Sequence, residues 1–327
     1  MLAGKAYRSL VWAVALMASS AAPALAYTAY VSNEKGDSIT VIDSKTDKVI
    51  KTFPIGQRPR GIALSNDGSE LYVCLGNDNT VRVVDTKTLK VKYDLPSGND
   101  PEFLIVGPQD GLIYLSNEND NLVTILNPKT HKVVATVPVG VEPEGMAMSP
   151  DGKYVVNTSE TTNMAHVIDV ATKKLIANIL VGQRPRVAQF KHDQSELWVS
   201  SEVGGTVSII DPKTWKVISK IHFAVPGLTA EEIQPVGIRF TAHDRIAYVA
   251  LGPANRVAVI DAKTHKILKY LLVGQRVWQM AITPDNKQLW TANGVSNDVT
   301  VVDIASERPL LSIPVGQLPW GVIFSPK

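Results

Sequence analysis

The chain has 327 residues, of which 45% are hydrophobic, with 33 basic side chains, 31 acidic side chains and one cysteine. This composition supports a large apolar core and excludes a disordered chain, a collagen-like chain and a disulfide-stabilised scaffold. The near balance of charges argues against the basic surface that tracks a nucleic-acid duplex, so we expect no nucleic-acid partner.

The first 26 residues have the order of a secretory signal peptide. Lys5 and Arg8 precede an apolar run over residues 10–18, and the small-residue end Ala24-Leu25-Ala26 follows. We therefore predict a signal peptide over residues 1–26, cleavage before Tyr27 and a periplasmic protein. No later stretch approaches the roughly 20 apolar residues of a membrane-spanning helix, so we expect no membrane span.

The rest of the chain is built from a repeat. The segment Ser38–Asp43 recurs, for example, at Thr80–Asp85 and Thr206–Asp211. The Asp or Asn that closes each copy lies at positions 43, 85, 127, 169, 211, 261 and 303. The spacing is 42 residues except for one interval of 50, so the chain holds seven units and one insertion.

Each unit contains four short apolar runs bounded by turn residues. In one unit these runs are residues 61–64, 70–75, 80–84 and 91–95. Runs of this length, rich in Val and Ile, predict antiparallel strands joined by hairpins. Seven such units predict an all-β fold, a seven-bladed β-propeller of four-stranded antiparallel blades.

The two ends of this region complement each other. Residues 28–32 align with the second strand of a unit, whereas residues 320–324 align with a first strand. One blade would then be completed by both ends, with the C-terminal strand innermost, which removes exposed strand edges. We accordingly predict a single domain over residues 27–327, with the ring closed by pairing of the N- and C-terminal strands.

The second strands also carry a family resemblance. YVSN at residues 30–33, LYV at 71–73 and IYLSN at 113–117 are each followed by a strand of the Val-Ile-Asp type and a Val-Gly-x-x-Pro turn. This pattern resembles the YVTN family of β-propeller repeats over residues 28–327. With the turns GQRPRG at 56–61 and GQRPR at 182–186, it resembles more narrowly the propellers associated with PQQ-dependent alcohol catabolism. That resemblance implies a periplasmic accessory role, with a quinoprotein dehydrogenase or a transport component as partner.

In a propeller, the loops that enter the inner strand and those between the second and third strands open on one face, around the central channel, where a ligand is expected. Three series of equivalent positions occupy these loops. The first is Arg58, Asp100, Glu142, Arg184, Gln234, Arg276 and Leu318. The second is Arg60, Glu102, Glu144, Arg186, Val236, Trp278 and Trp320. The third is Glu34, Gly76, Glu118, Glu160, Glu202, Gly252 and Gly294. The scaffold alone does not require charges at these positions, so they mark a candidate site.

Two adjoining blades contribute six carboxylates to one sector of this rim. They are Asp100, Glu102, Glu118, Glu142, Glu144 and Glu160. Like charges this close are costly unless cations neutralise them, and hard oxygen ligands suit calcium or a lanthanide better than zinc or copper. The sequence therefore predicts a metal site. The alternative is an ion-pair ring with the flanking arginines at positions 58, 60, 184 and 186.

The other sector combines indoles with guanidinium groups. Its members are Arg58, Arg60, Arg276, Trp278 and Trp320. Two indoles beside three guanidinium groups would stack a planar anionic cofactor such as PQQ. The alternative is that the indoles only plug the channel.

The insertion lies within residues 223–234, on the same face of the ring. Thr229 and Glu232 have the spacing of a capping box, which predicts a single helical turn. As a functional element the segment would be a lid or a partner-docking loop, and the alternative is an insertion without a role.

The histidines and the cysteine are expected to be mainly structural. His166, on a predicted third strand, is either an axial ligand or proton donor, or a packed and hydrogen-bonded side chain. Cys74 is expected to fill space in the core. The remaining histidines considered fall at turns of the opposite face and are expected to be solvated: His131, His192, His243 and His265.

The chain contains no Cys-x-x-Cys-His, no Gly-x-Ser-x-Gly and no phosphate-binding glycine loop, so covalent c-type haem is excluded and common enzyme signatures are missing. We expect a non-enzymatic periplasmic binding or scaffold propeller, accessory to PQQ-dependent alcohol oxidation or the associated transport, that recognises a cofactor, a metal ion or a partner at the channel mouth. Two alternatives stay open: an enzyme or electron-transfer accessory acting on a bound prosthetic group, and a purely structural protein-interaction module.

Overall fold

The computed structural model describes residues 27–326, so the predicted signal peptide, residues 1–26, lies outside the described residues. Residues 27–326 form 28 strands, which pair into seven four-stranded antiparallel sheets, and two single-turn 3-10 helices. The sheets are numbered here as blades 1 to 7, each described from its innermost strand outwards.

Blade 1 consists of β28 (Pro319–Pro326), β1 (Tyr27–Asn33), β2 (Ser38–Asp43) and β3 (Lys48–Pro54). Blade 2 consists of β4 (Pro59–Leu64), β5 (Glu70–Leu75), β6 (Thr80–Asp85) and β7 (Val91–Pro96). Blade 3 consists of β8 (Pro101–Val106), β9 (Ile113–Asn117), β10 (Leu122–Asn127) and β11 (Lys132–Pro138). Blade 4 consists of β12 (Pro143–Met148), β13 (Tyr154–Ser159), β14 (Met164–Asp169) and β15 (Lys174–Leu180).

Blade 5 consists of β16 (Pro185–Phe190), β17 (Leu197–Ser201), β18 (Thr206–Asp211) and β19 (Lys216–His222). Blade 6 consists of β20 (Ile238–Phe240), β21 (Ile246–Ala250), β22 (Arg256–Asp261) and β23 (Lys266–Leu272). Blade 7 consists of β24 (Val277–Ile282), β25 (Gln288–Asn293), β26 (Asp298–Asp303) and β27 (Arg308–Pro314). The 3-10 turns are Glu118–Asp120, which follows β9, and Ala230–Glu232, which precedes β20.

The seven innermost strands form a closed ring around the channel. Each of them packs beside the innermost strand of the next blade, and β28 packs beside both β24 and β4. β28 is antiparallel to β1, with Ala29 opposite Phe324 and Val31 opposite Val322. This arrangement confirms the predicted seven-bladed propeller and its closure by the N- and C-terminal strands.

The apolar core is divided into seven layers, one between each pair of adjacent blades. Between blades 1 and 2, for example, Ile39 and Val41 pack against Leu71 and Val73. The other six layers are likewise formed by buried strand residues of two adjacent blades. Because the middle strands are covered on both faces, β2 is buried along almost its whole length, whereas β3 on the outer edge is mostly exposed.

The recurrent Asp-x-Lys-Thr segments build the outer hairpins. Asp85 Oδ1 accepts hydrogen bonds from the Thr88 N–H at 2.7 Å and the Thr88 hydroxyl at 2.8 Å, and Leu89 follows with a φ of 55°. These bonds satisfy the turn locally, so the segments are structural.

The insertion contains the predicted helical turn. The Glu232 carboxylate accepts a hydrogen bond from the Thr229 N–H at 2.8 Å at the start of the turn Ala230–Glu232. Val225 and Ile233 anchor the segment in the layer between blades 5 and 6. Within residues 27–326, no helix is long and apolar enough to cross a membrane.

Candidate functional site

In most blades the rim residue of the first series lies in a turn that one hydrogen bond holds in place. Arg58 and Asp100 have positive φ values of 56° and 53°, which residues with a side chain adopt infrequently. An acceptor 21 residues earlier holds each turn: Asp37 Oδ1 accepts from the Arg58 N–H, and Asn79 Oδ1 accepts from the Asp100 N–H, both at 2.9 Å. The same bond recurs at Glu142, Arg184, Arg276 and Leu318.

Blade 6 departs from this rule. The equivalent acceptor position is Gly205, which has no side chain to accept the bond, and the rim residue that it would hold is Gln234. The Gln234 N–H instead donates to the Leu251 carbonyl at 3.4 Å. The insertion therefore occurs where the rim turn has lost its anchor.

The arginine at position 58 is the centre of the ion pairs in blades 1 to 3. Its Nη1 pairs with Asp100, and its Nη2 lies 2.8 Å from Glu102 Oε1 and 3.8 Å from Glu118 Oε2. Its Nε lies 3.4 Å from Glu34 Oε1. One guanidinium group thus neutralises carboxylates from two other blades.

The Glu144 carboxylate joins this cluster to the next one. Arg60 Nη1 pairs with Glu102, while Arg60 Nη2 lies 3.2 Å from Glu144 Oε1. Arg186 Nη2 lies 2.8 Å from the same Glu144 oxygen. Glu102 is 0% exposed, and the other three side chains are also buried.

The remaining ion pairs come from blades 4, 5 and 7. Arg186 Nη1 pairs with Glu160, and Arg184 Nη2 lies 2.9 Å from Glu160 Oε2. Glu202 Oε2 lies 3.1 Å from Arg184 Nε and 3.3 Å from Arg186 Nη1. Arg276 Nη2 approaches Glu202 Oε1 only to 3.6 Å. These pairs and the two clusters above are called the rim network.

The rim network contains more carboxyl groups than cations. Among the described residues it joins five guanidinium groups to seven carboxyl groups. Burial and the nearby carboxylates of Glu102, Glu144 and Asp100 raise the pKa of Glu118 to about 9. Burial also raises the pKa of Glu160, to about 7, against the opposing effect of Arg186. At neutral pH Glu118 therefore holds a proton.

The structure brings three of the six carboxylates of the predicted metal site together. Asp100, Glu102 and Glu118 each offer an oxygen, and these oxygens lie within 4.8 Å of one another. Glu144 lies beside Glu102 but outside this group, and it pairs with Arg60 and Arg186. Glu160 pairs with Arg184 and Arg186. Glu142 lies at the rim, where it accepts a hydrogen bond from the Thr161 hydroxyl. Only the first three residues therefore form a compact group of hard oxygen ligands, called here the acidic cluster.

The two rim indoles differ in exposure. Trp278 is half-buried, and the centre of its ring lies 4.5 Å from the Arg276 guanidinium. The Arg276 side chain is 34% exposed. Trp320 is 2% exposed, and its ring contacts Phe103 edge-on at 5.6 Å and the Arg60 guanidinium at 5.0 Å. Trp320 thus closes the channel, while Arg276 and Trp278 remain the accessible pair of the predicted stacking site.

The rim analysis of the sequence missed the lower half of the channel. Below Trp320 the wall is mainly apolar, but it includes Gln189, Arg239 and Gln279. These residues lie further along the innermost strands than the rim positions of the first two series. Counted from Pro59 and its equivalents, which include Pro235 ahead of β20, the fifth position singles out Arg239 as a charge among mainly apolar residues.

The His166 ring is fully engaged inside blade 4. Its Nδ1 lies 2.6 Å from Asn178 Oδ1, and its Nε2 accepts a hydrogen bond from the Gly140 N–H at 3.0 Å. Burial lowers its pKa, so the ring is neutral with the proton on Nδ1. This is the packed and hydrogen-bonded arrangement of the two that the sequence allows.

The other predictions on single side chains hold in most cases. Cys74 is buried in the layer between blades 2 and 3. His131, His192 and His243 are exposed. His265 is not fully solvated, because its Nε2 lies 3.0 Å from Glu196 Oε1 and its ring contacts Trp198 edge-on.

The chain belongs to the family described as Domain of unknown function (DUF5074), whose family model matches residues 68–252. Over 52 residues, 16% of this chain, it is 42% identical to a Salmonella typhi protein described as "Uncharacterized protein YncE". That match spans 15% of the relative's length, and a Salmonella typhimurium protein of the same description matches equally. The finer resemblance to YVTN and PQQ-associated propellers stays a prediction.

Three solved structures share the fold. A functionally unknown protein from Desulfotomaculum acetoxidans DSM 771 has a TM-score of 0.79 and 16% identity, covering 92% of this chain and 99% of that chain. Kuenenia stuttgartiensis hydrazine synthase has a TM-score of 0.78 and 21% identity, with 85% and 92% covered. The dihydro-heme d1 dehydrogenase NirN in complex with DHE has a TM-score of 0.68 and 16% identity, with 90% and 74% covered. At these identities the likeness shows the propeller fold alone.

Proposed function

We propose that this chain is a non-enzymatic binding propeller of the periplasm whose channel mouth takes up a hard cation, calcium or a lanthanide. The acidic cluster of Asp100, Glu102 and Glu118 carries this proposal. Three convergent carboxyl groups supply the oxygen ligands that such cations prefer. The link to PQQ-dependent alcohol oxidation or to its associated transport, with a quinoprotein dehydrogenase or transport component as partner, rests on the sequence resemblance.

Two positive charges now occupy the place that the cation would take. One is the proton held by Glu118, whose pKa is raised to about 9. The other is the Arg58 guanidinium, which contacts all three carboxyl groups of the acidic cluster. A cation would displace the proton and turn the Arg58 side chain outwards. Arg58 is partly exposed at the rim, so solvent is available to receive its guanidinium group.

Calorimetric titration with Ca²⁺ and La³⁺ tests this proposal. We expect La³⁺ to bind more tightly, because the attraction to each carboxylate grows with the cation's charge. Glu118→Gln removes one ionisable ligand and should weaken binding about tenfold or more, the effect of losing one charged contact. Arg58→Met removes the competing cation and should strengthen binding. Glu231→Gln, on the exposed helical turn of the insertion, is the matched control and should leave both affinities unchanged.

The displaced proton gives a second measurement. Because binding releases the Glu118 proton, the apparent affinity for Ca²⁺ should rise by about tenfold per pH unit between neutral pH and the Glu118 pKa. The slope should disappear in Glu118→Gln. A failure of Ca²⁺ and La³⁺ to bind either the unaltered protein or Arg58→Met would refute the cation site. Silence towards PQQ as well would favour a purely structural interaction module.

PQQ is a second candidate ligand because of the half-buried pair of Arg276 and Trp278 at the rim. The Arg276 guanidinium is only weakly paired, at 3.6 Å from Glu202, and it lies against an indole. A planar tricarboxylate would pair with the guanidinium and stack on this surface. Calorimetry with PQQ should then give an affinity that Trp278→Ala removes and Glu118→Gln leaves unchanged.

An enzyme or electron-transfer accessory is the remaining alternative. The names of two structures with the same fold describe a synthase and a dehydrogenase in complex with DHE. Their sequence identity to this chain is low, so the likeness supports a shared fold and not a shared activity. In this chain both ring nitrogens of His166 have internal hydrogen-bond partners. A purified protein that is coloured, or a turnover that His166→Ala abolishes, would favour this alternative over the binding role.

A further inference from the structure

The lower half of the channel contains a cavity that the rim network does not use. It has a volume of about 470 Å³, and its wall includes apolar side chains from blades 1 to 5, among them Ile62, Phe103, Met146 and Ile323. Small-molecule sites are usually apolar clefts of about 300–1,000 Å³ with a few polar groups that fix the ligand. The cavity has the size and the wall of such a site.

A single cationic side chain lies in this wall. Arg239, on β20, lines the cavity, and its Nη1 donates a hydrogen bond to the Ile238 carbonyl at 2.6 Å. Within residues 27–326 no carboxylate forms an ion pair with Arg239, whereas Arg60 and Arg186 in the channel each contact more than one. Arg239 is half-buried, and a charge partly removed from water without a counter-ion is costly, so the scaffold alone does not explain this arginine.

Two residues with unpaired polar atoms line the same void as Arg239. A void of about 20 Å³ between Trp320 and the lower cavity is lined by Arg239, Gln279 and Trp320. Gln279 is 3% exposed, and its Oε1 has no hydrogen-bond partner among the described residues. The Trp320 Nε1–H is also buried without an acceptor there. The void is large enough for a water molecule or for the polar end of a ligand.

These groups define the chemistry of a ligand that would fit the cavity. Arg239 and the Trp320 Nε1–H are both donors, so they require an acceptor that carries negative charge. The Gln279 side chain can present its NH₂ group to the same acceptor, because the amide turns about its last bond at little cost. One cation suits one negative charge, and the apolar wall suits an apolar body.

We propose that the lower channel cavity binds a small amphiphilic monocarboxylate, with its carboxylate on Arg239 and the Trp320 indole N–H and its aliphatic or aromatic body against the apolar wall. The site shares no residue with the acidic cluster, so it stands independently of the cation site.

Octanoate is the probe, titrated into the full chain by calorimetry. Octan-1-ol and octylamine carry the same aliphatic chain with a neutral and a cationic end. We expect saturable octanoate binding, with the alcohol weaker by about tenfold or more because the charge-assisted contacts are lost, and the amine weaker still. Arg239→Met should reduce octanoate affinity about tenfold or more, and Arg239→Lys should reduce it less. Arg308→Met, which alters an exposed arginine on β27, should leave the affinity unchanged.

Thermal unfolding without ligand separates binding from folding. Arg239→Met removes a partly desolvated charge that has no carboxylate partner, so it should raise the midpoint of the unliganded protein while it abolishes the upward shift caused by octanoate. Equal octanoate affinities for the unaltered protein and Arg239→Met would overturn the proposal. Octanoate stabilisation no greater than that given by chloride at the same concentration would overturn it as well.

Discussion

The arginine at position 60 offers the sharpest test of how the rim network stabilises the fold. Arg60 is buried and bridges two buried carboxylates, Glu102 through Nη1 and Glu144 through Nη2. In an Arg60→Met variant each carboxylate keeps one guanidinium partner, Arg58 for Glu102 and Arg186 for Glu144. The lost cation therefore leaves a surplus of buried negative charge.

The expected cost follows from that surplus. Removal of one partner from a buried ion pair destabilises a protein by about 3–5 kcal/mol, because the remaining charge stays desolvated. The contact of Arg60 with the Trp320 ring, at 5.0 Å, adds to the loss. We therefore expect Arg60→Met to lower the free energy of unfolding by about 3–5 kcal/mol.

Urea-induced unfolding, followed by far-ultraviolet circular dichroism, measures this change. Lys153→Met is the control, since Lys153 pairs with Asp151 at 3.1 Å on the exposed surface and should change stability by less than about 0.5 kcal/mol. Arg60→Met combined with Glu102→Gln also removes one of the surplus negative charges, so the double variant should be more stable than Arg60→Met. A loss below about 1 kcal/mol in Arg60→Met, or no recovery of stability in the double variant, would show that Arg60 does not stabilise the fold by neutralising buried carboxylates.

Three further predictions concern single side chains. The pKa of Glu118 is raised from its ordinary value of 4.5 to about 9, so the protonated side chain stabilises the fold fully below pH 4.5 and loses this effect as the pH rises towards 9. Glu118→Gln should therefore flatten the fall in unfolding free energy between about pH 5 and 9. A curve parallel to that of the unaltered protein would contradict this pKa. Asn79→Ala removes the acceptor for the Asp100 N–H and should lower the free energy of unfolding in urea by about 1–2 kcal/mol. Asn79→Asp introduces the acceptor found at the equivalent Asp37 and should cost less. Equal losses in the two variants would show that the hydrogen bond does not hold the rim turn. The buried thiol of Cys74, whose pKa burial raises, should react with a thiol reagent only after unfolding, and a rapid reaction in the native protein would place it at the surface.

The fold could be predicted from the sequence because the repeat states each part of it several times. Seven copies of one hairpin pattern predict the strands, the turns and the number of blades. Residues 28–32 align with a second strand and residues 320–324 with a first strand, which predicts that the two ends complete one blade. Residues 70–75 were predicted as a strand and form β5 with those bounds. The innermost strand of the same unit is predicted to begin at position 61, whereas β4 begins two residues earlier, at Pro59.

The candidate site was harder to predict, because equivalence along the repeat does not give distances across the channel. The repeat placed Glu142 with Glu102 and Glu118, yet in the structure only the latter two join Asp100 in the acidic cluster. Which arginine pairs with which carboxylates depends on side-chain direction at the channel mouth. Arg239 was missed for a different reason: it lies below the rim positions that were aligned, and its lack of a carboxylate partner is visible only in the structure.

The anchored rim turns leave the identity of the outward side chain free. The bond from the Asp or Asn acceptor goes to a main-chain N–H, so the turn holds arginine, aspartate, glutamate and leucine alike. Substitutions at these positions can therefore change ligand preference one blade at a time without disturbing the sheet beneath. The propeller is in this respect a ready scaffold for divergence by point mutation, and for laboratory libraries that vary only six codons.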